Sequence, residues 1–153
     1  MTLYNVFKTL HVISVLTWVG GGVLMQALAA RARRAGPDRL FSFAQEAAWA
    51  GNKYFMPAAV ATLLFGLATA FAKPYKWGFH PLWIKLGLLG FLITAVNGAG
   101  VLGRMAKKMA ALAEEKGASD PAVLDQARKL LNAMRIDLVV ILLVVVDMVF
   151  KPA

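Results

Sequence analysis

The chain has 153 residues, of which 59 % are hydrophobic and only 16 % charged, with 17 basic side chains against 8 acidic ones and a formal net charge of +9. Soluble domains carry roughly a quarter charged residues, so this deficit excludes an ordinary soluble domain, and the length allows a single one, 1–153. The absence of cysteine excludes disulfides, thiolate-bound zinc, iron–sulfur clusters and thiol catalysis.

Four stretches approach the roughly 20 apolar residues that a helix needs to cross a bilayer core. The first is charge-free from Thr9 to Ala30, and its helix is expected over about 5–30. It is expected to be retained rather than cleaved, because it is longer than a signal h-region and its trailing end is strongly basic. The second, 55–72, opens with Pro57 in its first turn and ends at Lys73-Pro74. The third, 81–103, starts at Pro81 and holds one charge, Lys85. The fourth, 136–150, is rich in Leu, Val and Ile, with Asp137 and Asp147 near its ends. In lipid only helices and closed barrels satisfy their own backbone, and the alternation of a barrel is absent, so the fold class is an all-α bundle of four transmembrane helices.

The basic residues fix its direction. Twelve lie in the connectors 31–54 and 104–135, against five (Lys8, Lys73, Lys76, Lys85 and Lys151) on the opposite side. The positive-inside rule therefore puts both termini outside, an N-out/C-out topology. The pI near 10.2 is then a topology signal plus attraction to the lipid bilayer surface, and no nucleic-acid partner is expected. Tyr4, Tyr75, Trp77 and Trp83 are expected to form an outer aromatic belt. On the inner side, span three is expected to continue through Lys108 and Leu112, break at Gly117, and restart with Ser119 or Asp120 capping a helix whose first residue is Pro121. Spans three and four would thus project into the cytoplasm as a helical hairpin. Leu40 to Ala50 reads as a short amphipathic helix at the interface.

Few side chains can carry chemistry. His11 lies roughly 9 Å along the first helix at about 1.5 Å per residue, inside the membrane, where an ionisable group is a functional-site candidate. At helical spacing it shares a face with Ser14, Trp18, Gly21 or Gly22, and Met25, a histidine above small residues that suits a flat ligand. Its alternatives are haem ligation, copper or proton work, and a neutral imidazole bonded to a neighbouring helix. Lys85 and Asp147 fall at a similar depth near the outer surface and are expected to pair, to relay protons, or to leave Lys85 free to bind a carboxylate such as a porphyrin propionate. Asp137 is expected as a solvated or paired acid at a helix start. His80, before Pro81 in the outer turn, is a secondary metal-ligand candidate beside His11. Asn97 is expected to donate a hydrogen bond between helices. Residues 98–103 spell G-x-G-x-x-G, but lie inside a span, without the preceding strand that a dinucleotide site requires.

The run from Phe7 to Gly21, FKTLHVISVLTWVGG, resembles the first span of a superfamily of small bacterial inner-membrane proteins. It includes HemJ-type protoporphyrinogen oxidases, copper-resistance D proteins and an uncharacterised family of predicted integral membrane proteins. Trp83-Ile84-Lys85-Leu86 is similar to the W-x-x-K-L entry of a later span in that group, and Asp147 to Pro152 resembles the M-V-x-K-P ending of the uncharacterised family. The resemblance implies a bacterial inner-membrane location, haem b at His11 and Lys85, an oxidoreductase or electron-transfer role, and a redox partner in the membrane or periplasm. The chain departs from the HemJ type after Gly22, where it reads Val-Leu-Met-Gln-Ala-Leu, and it has Asn97 and no second histidine in span three. A single histidine leaves a sixth haem position open or supplied by a homodimer partner. The competing expectation is a non-enzymatic transport or accessory protein for copper or another small solute, with His11, Lys85 and Asp147 as a polar relay.

Overall fold

The computed structural model describes residues 2–75 and 77–152; Lys76, counted above among the outer charges, lies outside the described residues, as do Met1 and Ala153. Among the described residues there are six α-helices and two π-helical turns. Helix α1 (Leu3–Ala35) is capped by Thr2, whose Oγ1 accepts from the Asn5 amide at 3.4 Å. It ends at Gly36, whose φ of 111° suits glycine alone, and Pro37 then starts α2 (Pro37–Ala50). A π-helical turn, 51–55, joins α2 to α3 (Met56–Phe71), and a second, 97–102, joins α4 (Leu82–Val96) to α5 (Gly103–Lys116). Helix α5 stops at Gly117, with φ of 87°, and Asp120 caps α6 (Pro121–Phe150) by accepting from the Ala122 amide at 2.8 Å. This is the break and restart expected from the sequence. Lys151, in the left-handed region, and Pro152 end the last helix.

Among the described residues, three continuous helices are long and apolar enough to cross a membrane: Leu3–Ala35, Pro37–Phe71 and Leu82–Lys116. Helix α6 is also 30 residues long, but its last eighteen residues include Arg135, Asp137 and Asp147. In the half that holds Tyr4 and Trp83, α1 packs on α3 and α4 packs on α6. The two pairs meet at Trp18, which is buried against Ala58 of α3 and Ile141 of α6 and meets Phe91 of α4 edge to face at 5.6 Å. Lipid supplies no hydrophobic drive between helices, so close approach through small residues has to supply it. Gly87 and Gly90 of α4 do so: a Cβ at Gly87 would fall on Met148 Cε, and one at Gly90 on Val144 Cγ2.

The half that holds α2 and α5 is held differently. Ala29 and Ala32 at the end of α1, Leu40, Phe43 and Ala44 of α2, Ala106 and Met109 of α5, and Val123, Ala127, Leu130 and Leu131 of α6 form one buried cluster. The apolar stripe expected to place the segment 40–50 on the lipid surface therefore faces other helices instead. Through the π-helical turn α2 runs on into α3 as one helix; it lies beyond the apolar stretch 55–72, and its Leu40, Phe43 and Ala44 stripe packs on α5 and α6. Outside this cluster Arg39 grips Glu46 with two bonds, at 2.7 and 3.3 Å. The hydrogen bond from Arg39 holds the Glu46 carboxyl below its ordinary range. A carboxyl depressed by folding stabilises the fold above its unfolded pKa, and that contribution disappears as pH falls through the folded value. Glu46→Gln should therefore lower the melting temperature slightly at pH 7 and leave it unchanged near pH 3, with the difference also vanishing in molar salt.

At the opposite end the belt aromatics form a chain. Tyr4 meets Tyr75 at 5.0 Å, Tyr75 stacks on Trp77 at 5.4 Å, and Trp77 meets Trp83 at 5.9 Å. Lys8 lies over Tyr4 and Lys151 over Trp83, so the N-terminus, the 72–81 connector, α4 and the end of α6 are tied together.

Candidate functional site

His11 sits in the α1–α3 seam. Its Nδ1 lies 2.9 Å from the Thr62 carbonyl, an oxygen that can only accept, so Nδ1 carries the proton. In the neutral ring Nε2 then keeps its lone pair. A metal-bound histidine shows the same arrangement: the nitrogen that does not ligate donates to a backbone carbonyl and fixes the tautomer. The ring fits because residue 66 is glycine; a Cβ there would stand 3.0 Å from His11 Cε1 and 3.1 Å from Nδ1. Thr62 is buried, and its own hydroxyl is occupied by the Ala58 carbonyl at 2.8 Å.

The other small residues on that face of α1 are covered by protein. Tyr54 donates to the Thr17 carbonyl at 3.0 Å and, with Phe55, covers Gly21, where a Cβ would lie 2.7 Å from Tyr54 Cε1 and 3.1 Å from Phe55 Cε1. Gly22 faces Leu138 of α6, and Trp18 fills the bundle centre. The flat surface expected beneath His11 is thus taken by Tyr54, Phe55 and Trp18. The π-helical turn explains this: it rotates Tyr54 and Phe55 onto α1, a shift that apolar periodicity alone does not show.

Lys85 and Asp147 do not pair. Among the described residues, Lys85 is exposed and makes no ion pair, and the Asp147 carboxylate lies by Gly87 with both oxygens shielded from solvent and without a hydrogen-bond partner. Lys85 lies beside, and not on, the buried stripe Ile84, Gly87, Gly90 of α4, so it is exposed while the Asp147 carboxylate stays in the α4–α6 seam. His80 is exposed beside Gly78 in the outer connector, and no contact joins it to His11. Among the described residues no three His, Asp or Glu side chains converge as metal ligands. Asn97 makes the expected interhelical bond, donating from Nδ2 to Asp137 Oδ1 at 2.9 Å. Asp137 itself is no helix-start acid, because α6 begins sixteen residues earlier at Pro121.

A groove of about 570 Å³ runs between the outer ends of α1 and α3, lined by Thr2, Leu3, Phe7, Ala68, Phe71, Ala72, Lys73 and Pro74. Leu3 and Phe7 share a helix face with His11, two turns and one turn above it. The groove is apolar except for Thr2 and Lys73. For a haem group, the donor chemistry at His11 fits and the groove offers an apolar wall on the same face of α1, while the closed bundle centre leaves no room. Sequence reasoning missed Thr62, Gly66 and Lys73. The one signal available for them was Gly66-xxx-Ala70, a small-residue face that identifies where α3 admits a neighbour without naming it.

No curated protein and no solved structure matches the chain. Its sequence matches the family described as "Predicted integral membrane protein (DUF2269)" over residues 5–152. With long apolar helices, a histidine held between two of them and a family match over nearly its whole length, the chain belongs to this family of predicted integral membrane proteins.

Proposed function

We propose that this protein is a haem-binding redox or electron-transfer protein of the bacterial inner membrane, with His11 Nε2 as the coordinating atom. The observation that carries the reading is the Nδ1–H bond to the Thr62 carbonyl, which orients the ring and leaves Nε2 available. Gly66 gives the imidazole its place, the α1–α3 groove accommodates the apolar edge of a porphyrin, and Lys73 replaces Lys85 as the cation for a propionate. Haem b would supply reversible one-electron chemistry. The chain's own contribution would be the fixed tautomer, an apolar wall from Leu3, Phe7 and Phe71, and one ligand atom, His11 Nε2. Protein purified from cells should show a Soret band with reduced α and β bands after dithionite, and His11→Ala should abolish them. A colourless wild type that also ignores added haemin would refute the reading.

In this reading four helices cross the membrane with both termini outside, which the twelve-to-five charge asymmetry and the aromatic chain around Trp77 support. Because the natural chain has no cysteine, single-cysteine variants report cleanly. Asn5→Cys should react with a membrane-impermeant maleimide on spheroplasts, and Ser119→Cys only after lysis; the opposite pattern would invert the topology.

A second reading, transport of a proton or small solute without catalysis, is favoured by one observation, the unpartnered Asp147 carboxylate in the α4–α6 seam. Polar groups in a span mark transport paths as well as cofactor sites. Reconstituted vesicles separate the two: flux abolished by Asp147→Asn and indifferent to His11→Ala supports transport.

A further inference from the structure

A second cavity, of about 370 Å³, lies at the inner corner where α1 turns into α2, lined by Leu28, Arg31, Ala32, Ala35 and Arg39. Its depth is set by sequence: Arg31 is the first charge after the apolar run that ends at Ala30, so the cavity lies where acyl chains give way to head groups. Leu28, Ala32 and Ala35 share one face of α1 and form an apolar wall with small side chains at its mouth. Arg31 is exposed and makes no ion pair among the described residues. Arg39 gives two of its five donors to Glu46 and retains the others. Counting Arg33 and Arg34, the corner holds four arginines against Asp38 and Glu46.

We propose that this cavity binds the phosphate of an anionic phospholipid from the leaflet on the basic side, with an acyl chain against Leu28. The charge excess selects an anionic lipid, because a zwitterionic lipid brings its own ammonium to a site already surplus in positive charge. The apolar wall and the depth select a lipid over a phosphate dissolved in water. Arginine is suited to the role, since its planar fork meets two phosphate oxygens at once.

The test is native mass spectrometry of the delipidated full chain with dioleoyl phosphatidylglycerol or dioleoyl phosphatidylcholine. Wild type should retain phosphatidylglycerol in preference to phosphatidylcholine, and Arg31→Gln should weaken that retention about tenfold, the loss of one charge-assisted contact. Arg31 contacts no acidic side chain, so its replacement leaves the fold intact, and adding Arg39→Gln should weaken retention further. Lys107→Gln with Lys108→Gln, which removes two exposed charges from α5, should leave retention unchanged. Equal retention of the two lipids, no effect of Arg31→Gln, or an equal loss in the α5 variant would overturn the proposal. Displacement by an equal concentration of inorganic phosphate would also overturn it, by showing a site for free anion.

Discussion

Phe43→Ala should lower stability by about 3–5 kcal/mol, the cost of removing a buried phenyl ring from a close-packed core. Phe43 is 1 % exposed and sits between α1, α5 and α6 in the inner cluster. That half of the molecule is bordered by charged connectors, so its apolar side chains are driven together by exclusion from water, and truncation loses both transfer energy and packing. Leu64, 58 % exposed on the outer face of α3, is the control: it faces lipid tails, and Leu64→Ala should change little because folding takes it from one apolar medium to another. Thermal unfolding in detergent followed by near-UV circular dichroism compares the two. Equal shifts would show that the inner cluster is not the stabilising core.

Gly90→Ala should destabilise the bundle by about 1–3 kcal/mol through overpacking. The new Cβ would land on Val144 Cγ2, so α4 must move away from α6 or Val144 must leave its rotamer. Val144→Ala removes the obstructing methyl group and should restore most of the loss. The same unfolding measurement on both single variants and the double variant gives the coupling directly. Additive effects would contradict the close approach of these helices, whereas recovery in the double variant establishes it.

Much of the architecture was legible because its signals are local. Gly117, Asp120 and Pro121 mark a helix stop and restart by backbone conformation and capping alone, and three of the expected apolar runs, 9–30, 55–72 and 81–103, fall to within a residue in helices long and apolar enough to cross a membrane. The fate of α2 was not legible, since an amphipathic stripe reads the same whether it faces lipid head groups or neighbouring helices. Only the facing residues of α5 and α6 decide between them. At the candidate site, His11 stood out as an intramembrane imidazole, but its partner Thr62 acts through a backbone carbonyl, which no side-chain pattern reveals. The expected Lys85–Asp147 pair failed for a related reason. Similar depth was readable from span position, but the direction of each side chain depends on how α4 turns its Ile84, Gly87 and Gly90 stripe toward α6.

The central claim is that His11 Nε2 is a coordinating atom, and titration of haemin into the detergent-purified protein tests it most directly. The account predicts a saturable Soret shift at one haem per chain, its loss in His11→Ala, and its return when free imidazole is added to that variant, which separates coordination from folding. An unshifted haemin spectrum with the wild type, or identical titrations for wild type and His11→Ala, would contradict it.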